Sequence, residues 1–278
     1  MSIDLPLAAQ DAAAVLDRHH NPTEDTTADP MIDIERWLAH FRGNQENRTE
    51  PEWEAPITMS AATIKPLLRS LEQFELGDGG GPDRLIARNA DSFRCGTAAR
   101  QELVDMWFVE EKEHSRLLGG LVQRFGGHSI QGHWSFSAFC LSRRILGVGF
   151  ELSILLVTEI VSTAYYRLLC QYGEDAALKG VCRLILRDEA GHVAFHRDRL
   201  ARTGRPGGYG RLWEIGFRAL ALGAATMLFV NHASALRAMG AYRSDFYREV
   251  RHELSLFLRR LRSETAGYHG EHHQGQGA

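Results

Sequence analysis

Asp188-Glu189-Ala190-Gly191-His192 decides how this chain is read. On an α-helix, a glutamate and a histidine three residues apart leave the same face, one turn from each other. Outward from this stretch, Val181, Ile185, Glu189, His192 and His196 recur at three- and four-residue steps. The carboxylate and the imidazole therefore fall inside an apolar stripe and not on a solvated face. The pattern occurs twice. Glu110-Glu111-Lys112-Glu113-His114 repeats the order acid-Glu-x-x-His, and Val104, Trp107, Glu111, His114, Leu118, Leu121 and Phe125 put Glu111 and His114 into the stripe, with Asp105, Lys112 and Gln123 outside it. A single match of this kind is ordinarily a solvated i, i+3 pair that contributes little. Two that face a core are another matter, because a carboxylate turned to a dry interior has to be paired, protonated or bound to a metal.

The rest of the chain reads as helices around these two. It has 278 residues, 44% hydrophobic and 24% charged, which suits one large domain with tails. No alternating strand pattern of any length appears, so the expected class is all-α. Helix A starts at Ser60 and carries Ile64, Leu67, Leu68, Leu71 and Phe74. The run Gly77-Asp78-Gly79-Gly80-Gly81-Pro82 should break or kink it, since each Gly costs about 1 kcal/mol and Pro about 3 in a helix interior. Helical character is expected again at Leu85, Ile86 and Ala90. Gly96 stops the chain, and Thr97 is an N-cap candidate for helix B, which runs to about Phe125 before Gly126-Gly127. Residues 126–142 read as a long irregular connection packed on the body through Trp134, Phe136 and Phe139. Helix C, Arg143 to Tyr172, has only Glu151 and Glu159 as charges between Ile145 and Tyr166, and a helix apolar all round is buried. After Gly173-Glu174-Asp175 comes helix D, Ala176 to Arg202, then two more helices over 211–239 and 244–262. Residues 1–56 are expected to be an N-terminal tail, partly disordered, with a short helix over 34–41. Residues 57–262 form the helical domain, and residues 263–278, with His269, His272 and His273, form a disordered His/Gly-rich tail.

Side chains on adjacent antiparallel helices meet only if they lie equally far from the connecting turn. Glu159 and Glu189 satisfy this about the turn at Gly173-Glu174-Asp175, and Asp78 satisfies it with Glu111 about the break near Cys95 and Gly96; Glu75 is the alternate and Glu72 fits less well. The candidate metal ligands are thus Asp78 (or Glu75), Glu111, His114, Glu159, Glu189 and His192. Four carboxylates balance two divalent ions, and oxygen donors with one imidazole per ion suit iron or manganese, whereas structural zinc prefers Cys and His. Glu110 and Asp188, each just before a ligand, are placed to accept the second ring N–H of the histidine on the opposite helix, or else to be surface acids. His196, one turn beyond His192, is a core histidine, a further ligand or a proton relay. Tyr165 and Tyr166 are packing aromatics first.

On Glu111-x-x-His114, Glu189-x-x-His192 and Glu159, the chain resembles the ferritin-like di-iron carboxylate superfamily, which includes rubrerythrins, bacterioferritins, acyl-carrier-protein desaturases and the small subunit of ribonucleotide reductase. The resemblance spans about Ser60 to Arg202. It implies a ferritin-like four-helix bundle with a long crossover between helices B and C, here with two extra C-terminal helices. It also implies two iron ions, manganese being the alternative, that react with dioxygen or peroxide. In that family helix A supplies a carboxylate, often after a Gly, and Gly77-Asp78 has the matching spacing with the shorter acid. Two outcomes are implied: an oxidase or oxygenase on a small apolar organic substrate, or ferroxidase or peroxidase work. The extra helices, the long connection and the lack of a rubredoxin-like cysteine motif favour the first, with an external electron donor. A non-catalytic helical protein of the same shape is the third reading.

Other classes fall away. The net charge of −3, with no long basic run, argues against nonspecific nucleic-acid binding. Cys95, Cys140, Cys170 and Cys182 are scattered, which fits reduced thiols in a cytoplasmic protein. No signal-peptide pattern opens the chain, and the apolar run Ala219 to Val230 is too short to span a bilayer, so no membrane is expected. A homodimer through an exposed helix face is the expected assembly. No Gly-x-Ser-x-Gly elbow, phosphate loop or dinucleotide fingerprint is present.

Overall fold

A computed structural model describes residues 32–88, 90, 98–203 and 210–274. Eight helices are described, and there is no strand among the described residues. The first, α1 (Ile34–Glu46), is capped by Asp33, whose carboxylate accepts from Arg36 N at 3.0 Å, and it buries Trp37, Leu38 and Phe41. In α2 (Ala61–Gly79) the extended Ser60 is the N-cap, accepting from Thr63 N at 3.2 Å. The glycine run does not stop α2 at Gly77; the helix continues through Asp78 to Gly79, with Gly80 as its C-cap. Packing outweighs propensity here. A Cβ at Gly79 would collide with the Ser115 hydroxyl, which itself donates to Glu75 O at 3.0 Å, so the missing side chain lets α2 lie close against α3.

Although Ala90 is helical, the expected return to helix is not seen at Leu85 and Ile86. Instead the backbone there is tied to Glu151, whose carboxylate accepts from Ile86 N and Ala87 N at 2.9 Å each and from Arg143 Nε at 2.9 Å. Thr97, the expected cap of the next helix, lies outside the described residues. α3 (Ala98–Arg124) ends where Gly126 takes φ +79° and Gly127 N bonds back to Val122 O at 2.8 Å, a reversal that a glycine makes without strain.

The connection that follows is less irregular than its sequence suggests. It contains α4 (Trp134–Ile145), and the chain breaks at Leu146 and Gly147, both extended, before α5 (Val148–Tyr172). The long apolar helix thus starts at Val148 and not at Arg143. After Gly173, Asp175 accepts from Leu178 N at 2.9 Å and opens α6 (Ala176–Thr203). α7 (Arg211–Ala238) turns at Gly240 into α8 (Arg243–Gln274), so helix occupies most of the stretch that reads as a disordered tail.

α2 packs on α3, α5 on α6, and α3 on α6. On one side α1 lies over α3 and α6; on the other α7 lies over α2 and α5, with α8 against α5, α6 and α7. The main core fills the interior from Leu67 and Leu71 through Leu156, Tyr165 and Ile185 to Phe217 and Phe257. A smaller core, containing Trp37, Phe41, Trp107, Phe108, Leu152, Leu155 and Phe195, closes the end beneath α1. Helices α5 and α7 are both long and apolar enough to cross a membrane by length and composition; the most apolar window is 78% buried in α5 and 33% buried in α7. The expectation that the α7 run is too short to span rests on Ala219 to Val230 alone, and the helix carrying it is longer.

Candidate metal centre

Between the two cores, four helices bring acids and imidazoles together. α3 contributes Glu110, Glu111 and His114; α6 contributes Asp188, Glu189 and His192; α5 contributes Glu159; and α2 contributes Asp78. Glu111, Glu159 and His192 each offer one atom within 4.8 Å of the other two, a group able to hold a metal ion. His192 Nδ1 lies 3.1 Å from Glu111 Oε1, 3.5 Å from Glu159 Oε1 and 3.6 Å from Glu189 Oε2. His114 Nδ1 lies 3.9 Å from Glu189 Oε1, and the two imidazole rings are 5.8 Å apart. The opposite ring nitrogens face outward: His192 Nε2 meets Glu110 Oε2 at 3.0 Å, and His114 Nε2 meets Asp188 Oδ2 at 3.2 Å. Each histidine is thus held by the acid that precedes the glutamate on the other helix.

The inward atoms are not satisfied. His192 Nδ1, His114 Nδ1, Glu111 Oε1 and Glu189 Oε2 are buried with no hydrogen-bond partner; the 3.1 Å approach of Glu111 to His192 is too poorly aligned to count as one. Glu110, His114 and His192 are fully buried, Glu159 and Glu189 nearly so, and the side chain of Glu111 keeps 17% of its exposure, which leaves the cluster open on that side.

The titration of these groups reflects this crowding. Burial pushes the Glu189 carboxyl well above its ordinary range, and the neighbouring Glu159 charge adds to it. Burial opposes the Glu159 charge too, but the hydrogen bond from Glu189 and the His192 imidazolium outweigh it and hold Glu159 low, so the two glutamates share one proton. Asp78 is pushed well up by burial and by the charges of Glu111 and Glu159. Burial works against the His192 cation, yet Glu159, Glu110 and Glu111 raise it far above the usual imidazole value. Asp188 is held at about 2 in spite of its burial, by His114, Arg48 and Arg187.

Glu75, the alternate helix-A ligand, is engaged elsewhere. It accepts from Ser129 Oγ at 2.6 Å and packs over Gly119. His196 is buried with neither ring nitrogen bonded, 5.5 Å from the Trp107 ring, and burial lowers it to about 3. Tyr165 belongs to a separate network with Ser70 and His232, whereas the Tyr166 hydroxyl is buried without a partner and feels the charges of Asp78 and Glu189.

Around the cluster, Trp107 comes from the apolar stripe already read in the sequence, whereas Arg48, Phe41 and His40 carry no sequence signal. Arg48, from the loop after α1, places NH2 2.8 Å from Asp188 Oδ2. Phe41 and Trp107 set their rings 5.9 and 5.7 Å from the His192 ring. A Cβ at Gly191 would strike His40 Nε2, so the glycine inside the motif is what lets α1 close over it. Set against known proteins, the chain matches no family model, and neither a curated protein nor a solved structure is found to match it.

Proposed function

We propose that the chain is a ferritin-like bundle holding a pair of iron ions, or manganese in their place, and that it acts as an oxidase or oxygenase on a small apolar organic substrate. In this reading α2, α3, α5 and α6 are the four bundle helices, α4 lies in the crossover between the second and third, and α7 and α8 are additions. The observation that carries it is the set of inward atoms without partners on His114, His192, Glu111 and Glu189. A buried polar atom left unpaired costs about 1–3 kcal/mol, and cations at the cluster would complete all four at once. The donor set, four carboxylates and two imidazoles with no thiolate, fits iron or manganese in kind and in charge.

Such a pair of ions, when bound, supplies redox chemistry toward dioxygen or peroxide, with electrons from an external donor. The protein's own part is orientation and exclusion. Glu110 and Asp188 take the Nε2 protons of His192 and His114, so that both Nδ1 lone pairs face inward. Arg48 and Arg187 keep Asp188 ionised for that task. Glu189, held protonated by burial and by Glu159, would have to be ionised to serve as a ligand, and Phe41 and Trp107 keep water from His192. Phe108 and Leu155, in the small core next to Trp107, supply the apolar wall a substrate would meet.

Metal analysis tests the proposal. After iron-supplemented growth, with His269, His272 and His273 replaced by Gln so that the chain end takes up none, about two irons per chain are expected. His192→Ala or Glu111→Ala should abolish them. Excess ferrous iron and oxygen should then give one oxidation per site followed by arrest. Continued turnover with a growing ferric product would move the assignment to a ferroxidase, and a chain that takes up no metal would be a helical scaffold.

A further inference from the structure

We propose that the outer face of α7 docks a second copy of this chain, helix against helix, antiparallel about a two-fold axis between Leu222 and Gly223. The stretch from Ala219 to Leu236 contains no Asp, Glu, Lys or Arg. Its outward residues continue a stripe that begins near the start of the helix: Leu212 is 76% exposed, Ile215 62%, Leu222 58% and Val230 68%. From Leu212 to Val230 the stripe is about 27 Å long at 1.5 Å per residue. Contiguous apolar surface of this kind marks an interaction site.

The stripe fits itself. About the proposed axis Ile215 faces the second copy's Val230, Ala219 faces Thr226, and each Leu222 lies over the other copy's Gly223. Gly223 is a notch that this chain leaves empty, since a Cβ there would meet nothing within 4 Å. The nearest charges, Glu214 and Arg218, fall opposite Asn231 and Met227, so no like charges meet. Such a patch, self-complementary under two-fold rotation, is what an isologous dimer requires.

Other occupants fit less well. A helix lying in a bilayer surface turns aromatic rings outward to the headgroups, but Trp213 and Phe217 point inward, 6% and 1% exposed. The residues before Ile32 join the structure at α1, which packs on α3 and α6, across the bundle from α7. A stripe one helix wide should give a dissociation constant on the order of micromolar.

Sedimentation of the full chain between about 1 and 100 μM is the test. A monomer–dimer equilibrium is expected, weakened at least tenfold by Leu222→Arg. Gly223→Leu should weaken it as well while leaving the monomer as helical and as heat-stable as before, because a Cβ added there meets nothing of its own chain within 4 Å. A wild-type monomer throughout, or a dimer indifferent to both variants, overturns the proposal. So would a dimer that appears only after residues 1–31 are removed. Flotation with phosphatidylcholine–phosphatidylglycerol vesicles separates the remaining source: binding strengthened by Gly223→Leu would assign the face to a lipid surface instead.

Discussion

Two buried polar clusters lie in the same bundle, and they are built on opposite terms. In one, Ser70, Tyr165 and His232 come from α2, α5 and α7. The Ser70 hydroxyl is bonded to the Tyr165 hydroxyl at 2.5 Å and to His232 Nδ1 at 2.8 Å, with Phe74 packed against both rings. In the other, on α3 and α6, His192 and His114 bond outward to Glu110 and Asp188, while His114 Nδ1, His192 Nδ1, Glu111 Oε1 and Glu189 Oε2 face inward without partners. A closed polar network rigidifies the helices it joins, while an open one is costly until something completes it. The first cluster accounts for itself as architecture. The second could hold a cation.

The largest expected effect separates them directly. Ferrous or manganous ion added without oxygen at about a thousand times its dissociation constant should stabilise the chain by about 4 kcal/mol, near 10 °C in Tm for a domain of this size. Thermal melts with metal and with chelator check this. Glu111→Ala should remove the response, and Ser70→Ala should leave it intact. If the two variants lose it equally, the contrast between the clusters fails.

The next effect falls on the closed cluster. Ser70→Ala strips the partner from both the Tyr165 hydroxyl and His232 Nδ1, two buried groups at about 1–2 kcal/mol each, the lower part of the range for a buried group left unpaired, so a loss of about 2–4 kcal/mol is expected in urea melts. Tyr165→Phe keeps the Ser70–His232 bond and should cost roughly half as much.

The helices and the cross-helix pairing were legible in sequence for the same reason. At three to four residues per turn, a glutamate and a histidine in an apolar stripe face the core, and the acid just before the glutamate is rotated toward the neighbouring helix. That rotation brings Glu110 to His192 and Asp188 to His114. What failed depended on contacts distant in sequence. α2 runs past Gly77 because Gly79 nests on Ser115. The chain at Leu85 and Ile86 stays non-helical where Glu151, from α5, holds the backbone N–H groups of Ile86 and Ala87. α4 is short and mixes aromatic with polar residues, so its period is weak against a loop. Arg48 lies in a loop with no period at all, and its contact with Asp188 follows only from the fold.

A third prediction tests the closed cluster by pH. Burial, with His133 adding to it, lowers His232 from 6.5 to about 3, so the folded state keeps it neutral where the unfolded chain would take up a proton. Between those values the unfolded state binds more protons, and stability falls as the solution becomes more acidic. Going from pH 7 to pH 5 should cost about 2 kcal/mol from this group alone. Guanidinium melts at the two pH values should show the loss in the wild type and a smaller one in His232→Phe.

The smallest effect has the opposite sign and belongs to the open cluster without metal. Burial and the adjacent Glu159 charge raise the Glu189 carboxyl above its unfolded value, so the folded state holds a proton that the unfolded chain releases. This contribution is complete below the unfolded value near 4.5 and is lost as pH rises through the raised one. Chelator-treated wild type should therefore lose stability, seen as a falling Tm, as pH rises above 4.5 through the raised value. Glu189→Gln, which keeps a neutral side chain of the same shape, should lose less. With metal bound the order inverts: the wild type no longer needs the proton and gains stability, while Glu189→Gln lacks a charge the ions require and gains less. An alkaline slope that is the same in both proteins would mean that Glu189 and Glu159 do not share a proton, and the cluster would then be wetter and more open than its burial implies.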